Sequence, residues 1–161
     1  MTHDEVEILY VEDDARDVEL TMAALRQGRI ANRIQVARDG VEALDFIFCR
    51  GTYAGRQFLS PKLVLLDMKL PKVDGLEVLH AIREDERTKL VPVVVLTSSN
   101  EQKDIVESYK LHVNSYIQKP VDFDQFREVV KQLGLYWMVV NQTPLPESSS
   151  ARLKTQQAAG S

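Results

Sequence analysis

The amino-acid sequence predicts an α/β fold in which a doubly wound parallel sheet of five strands is covered by helices on both faces. Two observations predict it. Short segments rich in Val, Ile and Leu alternate with segments whose apolar residues recur at helical spacing. The central apolar segments, LVLL and VVVL, show no polar alternation, as expected for strands that are buried on both faces of a parallel sheet.

The individual elements follow from the same patterns. Apolar runs predict strands over Val6–Val11, Lys62–Asp67, Val91–Ser99 and Val113–Pro120, with a weaker strand over Asn32–Arg38. Helical spacing predicts helices over Ala15–Gln27, Val41–Phe48, Gly75–Asp85, Glu101–Leu111 and Asp122–Trp137. Gly28 provides a stop for the first helix, and Asp122 or Asp124 provides an N-cap for the last. The segment Arg50–Pro61 is predicted to be a loop of more than the usual length.

The chain divides into one domain and a tail. With 161 residues, of which 44% are hydrophobic and 27% charged, it has the size and composition of one soluble domain. We expect this domain over residues 1–143, with a helical extension from about residue 134, and a flexible tail over residues 144–161, which are rich in Pro, Ser and Gln. The run Leu133–Val140 is apolar nearly all round and predicts either a contact surface or a segment that folds back onto the domain.

Several classes of protein are disfavoured. The net charge of -4 argues against binding nucleic acid through clustered Lys and Arg. We expect no membrane span, since no apolar run approaches the roughly 20 residues required, and no signal peptide, since the start is acidic. Cys49 is the only cysteine, which excludes an internal disulfide and fits a cytoplasmic protein.

Acidic residues stand where two predicted strands end. Glu12, Asp13 and Asp14 follow the first strand, and Asp67 ends the third. In a flavodoxin-like (βα)5 sheet of order 2-1-3-4-5 these strands are neighbours, so the carboxylates face each other at the switch point where ligands bind. Two carboxylates about 4 Å apart repel by about 1 kcal/mol in water and about 4 kcal/mol at an effective dielectric of about 20. The cluster therefore predicts a proton or a cation, and oxygen ligands with open positions favour Mg²⁺. We assign Asp14 to capping the first helix.

The fourth and fifth strands add a hydroxyl and an ammonium group. Thr97 ends the fourth strand, and Lys119 ends the fifth, before Pro120. Carboxylates, a metal ion, an ammonium and a hydroxyl together suit the stabilisation of a transferring phosphoryl group. Asp67 would then be the nucleophile that forms an aspartyl phosphate.

These residues, in this order, resemble the receiver domains of bacterial response regulators over roughly Glu7 to Leu133. The resemblance implies the following roles: Asp67 as phosphoacceptor, Asp13 as direct metal ligand, Glu12 as its acidic partner, Lys69 as a ligand through its backbone carbonyl, Pro71 and Gly75 as the turn after the acceptor, Thr97 and Tyr116 as switch residues, and Lys119 and Pro120 as a pair joined by a cis peptide bond. The acidic pair is Glu-Asp here, where the family has Asp-Asp. We therefore expect the longer Glu12 to reach the metal through water.

The resemblance also implies a function. It predicts a stand-alone regulator that accepts a phosphoryl group from a sensor histidine kinase with Mg²⁺, and that is no enzyme beyond its own phosphotransfer and dephosphorylation. About forty residues follow the fifth strand, which are too few for a DNA-binding domain of usual size. We expect signalling through protein contacts, or a role as a phosphorelay intermediate or docking module.

Details of the chain are similar to the small regulators of bacterial phytochrome kinases. They are the Arg50–Pro61 insert, the segments Ile82–Asn100 and Val113–Phe126, and the late Tyr136-Trp137 pair. This similarity implies a homodimer formed through the last strand, the last helix and Leu135–Val140.

Other protein classes fit less well. A phosphatase of the haloacid-dehalogenase type needs a second Asp two residues after its nucleophile, where this chain has Lys69. A flavin binder needs a hydroxyl-rich phosphate loop after the first strand, where the acidic segment EDDARD would repel phosphate. A degenerate receiver would lack Asp67 or Lys119, and both are present.

Overall fold

The five strands are β1 (Ile8–Val11), β2 (Ile34–Ala37), β3 (Leu63–Asp67), β4 (Val93–Thr97) and β5 (Ser115–Gln118). They were located in a computed structural model, which describes residues 6–28, 33–68, 75–135 and 137–140. In these ranges the strands form one parallel sheet of order β2-β1-β3-β4-β5. The predicted doubly wound, flavodoxin-like fold is confirmed.

Six α-helices lie in the described ranges: α1 (Ala15–Leu25), α2 (Gly40–Phe48), α3 (Gly75–Glu84), α4 (Asn100–Ser108), α5 (Phe123–Gln132) and α6 (Trp137–Val140). Side-chain caps explain where several of them begin. Asp14 accepts the backbone N–H groups of Arg16 and Asp17, and Asp122, rather than Asp124, caps α5 by accepting from Gln125. None of the described helices is long and apolar enough to span a bilayer.

Two apolar layers hold the helices to the sheet. On one face, alternate residues of β1, β3 and β4 pack against Phe46 of α2, Leu79 of α3 and Val106 of α4. On the other face, the remaining strand residues pack against Leu25 of α1 and Phe126 of α5. The central strands are buried on both faces, which is why their sequences are apolar without alternation.

The register of the sheet places the strand ends together. Val11 of β1 pairs with Leu66 of β3, so the next residue of each strand, Glu12 and Asp67, emerges at the same level. On the other side of β3, Asp67 pairs with Leu96 of β4. The pattern continues to β5, where the backbone N–H of Lys119 donates to the carbonyl of Thr97 over 2.7 Å.

The C-terminal segment differs from the prediction. The prediction of one continuous last helix to Trp137 was wrong, because α5 ends at Gln132 and Gly134 adopts a left-handed φ of 78°. The N–H groups of Gly134 and Leu135 donate to the carbonyls of Lys131 and Val130, which is the usual glycine-based helix stop. Beyond this turn Met138 is buried in the α1 and α5 layer, so this part of the apolar run folds back onto the domain. The predicted flexible tail lies outside the described residues.

The loop between α2 and β3 is held by an arginine. The Arg56 guanidinium lies 4.0 Å from the centre of the Phe46 ring, and its Nη1 donates to the Phe46 carbonyl over 2.8 Å. A second guanidinium, that of Arg87, stacks 4.3 Å from the ring of Phe58. Cation–π contacts of this kind order a segment that the sequence pattern identified only as a loop.

We expect Gly75→Ala to destabilise the fold, because a Cβ at this position would lie 2.9 Å from Met68 Cα, a backbone atom directly after the end of β3. Overpacking typically lowers the free energy of unfolding by about 1–3 kcal/mol. Gly55→Ala is the matched control, since no described atom lies within 4 Å of its Cβ position. Denaturant titration of the two variants checks this expectation, and equal stabilities would contradict it.

Candidate functional site

Three carboxylates meet at the carboxyl ends of β1 and β3. Glu12, Asp13 and Asp67 each offer one oxygen, and these three oxygens lie within 4.8 Å of one another. Glu12 and Asp67 are buried, with 0% and 1% of their surface exposed, whereas Asp13 lies at the surface. The sequence predicted that the two strand ends bring these acidic side chains together, and their positions confirm it.

Lys119 brings a positive charge to the buried carboxylates. Its Nζ lies 3.3 Å from Asp67 Oδ1 and 3.5 Å from Glu12 Oε1. Burial opposes the charge on Lys119, but the carboxylates of Asp67 and Glu12 raise its pKa. The contact with Asp67 is an ion pair without hydrogen-bond alignment, because Asp67 Oδ1 has no hydrogen-bond partner among the described residues.

The environment of Glu12 disfavours the charged form of its carboxyl group. Burial, then a hydrogen bond with Asp67 and the negative charge of Asp67, raise its pKa to about 8. The buried hydroxyl of Tyr10 lies 3.4 Å from Glu12 Oε1, and burial also raises the pKa of Tyr10. Without a cation, burial and the neighbouring Asp67 therefore favour the protonated form of Glu12.

The residues present fit a hard divalent cation. Their donor set consists of carboxylate oxygens, the ligands that Mg²⁺ and similar ions take in proteins. Asp67 Oδ1 is buried and lacks a hydrogen bond from any described group, and a cation at the cluster would satisfy it. The carboxylates of Asp13, Asp67 and Glu12 would hold such an ion. The predicted backbone ligand Lys69 and the turn residue Pro71 lie outside the described residues.

The two predicted switch residues occupy adjacent strands. Thr97 is 4% exposed and directly follows Leu96, the residue that pairs with Asp67. Tyr116 is half-buried on β5, and the ammonium of Lys103 on α4 lies 5.2 Å from its ring centre. Burial and then the charge of Glu107 raise the pKa of Tyr116.

The peptide bond between Lys119 and Pro120 is cis, as the resemblance implies.

Comparison with known proteins assigns the family. The family model described as the response regulator receiver domain matches residues 8–131. The chain belongs to this receiver domain family.

Individual relatives support the assignment of the chain to this family. The probable methanogenesis regulatory protein FilR2 of Methanothrix harundinacea is 42% identical over 139 residues, which are 86% of this chain and 88% of FilR2. The solved structure of the bacteriophytochrome response regulator AtBRR is 50% identical, with a TM-score of 0.77, and the match covers 83% of this chain and 96% of AtBRR.

A third relative was solved with a metal ion. The Mn²⁺-bound form of the response regulator Rcp1, a protein of Synechocystis, is 37% identical with a TM-score of 0.63. The match covers 86% of this chain and 97% of that structure.

Two residues of this receiver domain were missed by the sequence analysis. Asp17 in the first turn of α1 accepts a hydrogen bond of 3.1 Å from Lys119 Nζ, the shortest polar contact of that ammonium in the described structure. Tyr10 lies within 3.4 Å of both Glu12 Oε1 and the backbone carbonyl of Asp17. The position of Asp17 three residues after the cap Asp14 is the signal that places it at the site end of the helix.

Glu12→Gln should change how stability depends on pH in metal-free buffer. The pKa of Glu12 is about 8 in the folded protein and about 4.5 without burial, so the native state binds more protons between these values. The contribution of Glu12 to the free energy of unfolding therefore falls as pH rises through this window. We expect the stability of Glu12→Gln, relative to wild type, to be greater at the upper end of the window than at the lower end.

Urea titrations across this pH window, with a chelator present, measure that difference. The control is Glu19→Gln, which removes an exposed carboxylate from α1. Parallel pH profiles for Glu12→Gln and wild type would contradict the proposed protonation of Glu12.

Proposed function

We propose that this chain is a single-domain response regulator whose Asp67 accepts a phosphoryl group from a phosphohistidine of a sensor histidine kinase, with Mg²⁺. The observation that carries the proposal is the environment of Asp67. Its carboxylate is buried at a strand end, has an oxygen without a hydrogen-bond partner among the described residues, and lies beside Glu12, Asp13 and Lys119.

The transfer itself requires little of the protein beyond position and charge. An oxygen of Asp67 forms a bond to phosphorus as the bond between phosphorus and the kinase imidazole nitrogen breaks, and the imidazole keeps the electron pair. The carboxylates of Asp13, Asp67 and Glu12 would hold the Mg²⁺, which would supply positive charge to the phosphoryl oxygens. Lys119 and the hydroxyl of Thr97 donate to the same oxygens, since Lys119 Nζ lies 3.3 Å from Asp67 Oδ1 and Thr97 ends the strand next to Asp67.

The carboxylates beside Asp67 have different roles in binding the cation. Asp13 is exposed and so provides a ligand to a cation that enters from solvent, whereas Glu12 is buried and protonated until the cation arrives. In this proposal the protein turns over no external substrate. It catalyses only its own phosphorylation and dephosphorylation.

The phosphorylated state is read through the α4 and β5 surface. A phosphoryl group adds charge and acceptor oxygens at Asp67, which draws the hydroxyl of Thr97 inward. Tyr116 then rotates into the space that Thr97 leaves and gives up its contact with Lys103. This rearrangement changes the affinity of the surface for the kinase or an output partner by about 1–3 kcal/mol, the usual range of allosteric coupling.

The partner that we propose is a cytoplasmic bacteriophytochrome histidine kinase. The support is the 50% identity to a bacteriophytochrome response regulator over 83% of the chain. A phosphorelay intermediate is the second candidate, since the same phosphorylated Asp67 can pass its phosphoryl group to another histidine.

Phosphorylation at Asp67 is the central expectation. With Mg²⁺ and acetyl phosphate, the wild type should gain one acid-stable, base-labile phosphoryl group, detectable by intact-protein mass spectrometry. Asp67→Asn should gain none, because its amide is a poor nucleophile. Chelation of Mg²⁺ should abolish labelling of the wild type.

The control for this experiment is Asp14→Asn, which alters an exposed carboxylate that caps α1 and should retain labelling. Label that persists in Asp67→Asn would refute the assignment of the acceptor.

We further propose a homodimer formed through β5, α5 and the segment Leu135–Val140. Leu135, Trp137 and Val139 are only partly buried against their own domain, so each keeps apolar surface for a partner. The side chain of Tyr136, the other aromatic residue predicted for this surface, lies outside the described residues.

Trp137→Ala should weaken such a dimer at least tenfold, since a partly exposed Trp often dominates interface energy. Sedimentation equilibrium with and without the phosphate mimic beryllofluoride measures the effect. Leu59→Ala removes an exposed apolar side chain, 42% accessible, from the loop before β3 and is the control. A wild type that stays monomeric in both states would end the dimer proposal and leave phosphorylation unaffected.

A further inference from the structure

We propose that Asp17 is a positioning residue that holds the Lys119 ammonium at the rim of the acidic cluster, and so keeps the cation site available. The inference rests on the proposed function only in requiring that Glu12, Asp13 and Asp67 bind a divalent cation. It gives a role to a carboxylate that lies outside that set of ligands.

The contacts of Lys119 show a competition between carboxylates. Its Nζ lies 3.1 Å from Asp17, 3.3 Å from Asp67 and 3.5 Å from Glu12. The Asp17 and Glu12 contacts are hydrogen bonds, whereas Asp67 Oδ1 has no hydrogen-bond partner among the described residues. The shortest contact of the ammonium is therefore made to a residue other than the acceptor.

The position of Asp17 is fixed by its backbone. Its N–H donates to the cap residue Asp14 over 3.0 Å, and its carbonyl lies 3.4 Å from the hydroxyl of the buried Tyr10. The Asp17 side chain is 36% exposed and that of Lys119 is 14% exposed, so the pair spans the boundary between the buried cluster and solvent. Asp17 is thus held as a fixed anchor for the flexible lysine side chain.

This anchor changes what happens when a cation enters. A divalent ion between the carboxylates of Glu12, Asp13 and Asp67 repels the nearby ammonium. In the wild type Lys119 can withdraw to Asp17, where it keeps a charged hydrogen bond. Without the negative charge of Asp17, Lys119 binds the buried pair of Glu12 and Asp67 more tightly, and a cation must displace it without that compensation.

Isothermal titration with Mg²⁺ alone, without any phosphodonor, tests the inference. Asp17→Asn keeps the size of the side chain and removes its charge, and should weaken Mg²⁺ binding about three- to fivefold, the effect expected of one partly exposed ion pair. Asp17→Glu should restore most of the affinity. Glu19→Gln, which removes another carboxylate from the same helix, should bind as the wild type does.

A double-mutant cycle separates positioning from a simple loss of charge. In the Lys119→Met background, Asp17→Asn should no longer weaken Mg²⁺ binding, because the residue that it anchors is gone. An equal or larger loss in that background would mean that Asp17 attracts the ion directly, and would overturn the proposal. So would a wild type that binds no Mg²⁺ in the millimolar range.

A second readout covers the case in which Lys119→Met fails to fold. The ¹⁵N and ¹H resonances of the Lys119 ammonium report its hydrogen-bond partners, and they should shift between wild type and Asp17→Asn but not in Glu19→Gln. Unchanged resonances in Asp17→Asn would overturn the anchor. Failure of wild-type protein to accept a phosphoryl group from acetyl phosphate would end the proposed function, whereas the affinity and resonance differences would still decide the role of Asp17.

Discussion

The burial of two carboxyl groups at the ends of neighbouring strands is the constraint on which the site depends. Glu12 and Asp67 are almost completely buried, and their oxygens lie close to each other. Isolated charges in such a position are costly, so the protein must supply a proton, a cation or an ammonium. The raised pKa of Glu12 and the ion pairs of Lys119 are two responses to this electrostatic demand. The exposed Asp13 adds a third carboxylate, which increases the demand for a cation.

The fold creates this demand through register. Because β1 and β3 pair in parallel with Val11 beside Leu66, the first polar residue after each apolar strand emerges at the same point. The helices close the site from one side, since the cap at Asp14 starts α1 at the same edge of the sheet and carries Asp17 within reach of Lys119. The apolar layers on both faces of the sheet are what make these polar ends so poorly solvated.

The sequence was sufficient to identify the site residues that lie at strand ends. It was not sufficient to predict the contacts and boundaries that depend on helix geometry. Asp67, Thr97 and Lys119 could be identified because each follows an apolar run, and an open parallel sheet brings such ends together. The pairing of Asp17 with Lys119 could not, since 102 residues separate them and the contact depends on where the first turn of α1 lies relative to the Lys119 side chain. The end of α5 was missed for a local reason, because Gly134 stops the helix through its left-handed backbone while the apolar pattern continues past it.

The contacts of Lys119 also connect Asp67 to the strands β4 and β5, which carry the proposed switch residues. The backbone N–H of Lys119 donates to the carbonyl of Thr97 over 2.7 Å. This hydrogen bond joins Lys119, whose ammonium lies beside Asp67, to Thr97, whose hydroxyl would move towards the phosphoryl group. Tyr116 lies on β5 beside Val95, two residues before Thr97, with its ring under Lys103 of α4. A change of partner at Lys119, from Asp17 towards a phosphoryl group on Asp67, would therefore act on β4 and β5 together. If Asp17 anchors Lys119 in this way, their hydrogen bond stabilises the unphosphorylated state relative to the phosphorylated one. The strength of this bond then helps to determine how readily the surface of α4 and β5 changes when Asp67 is phosphorylated.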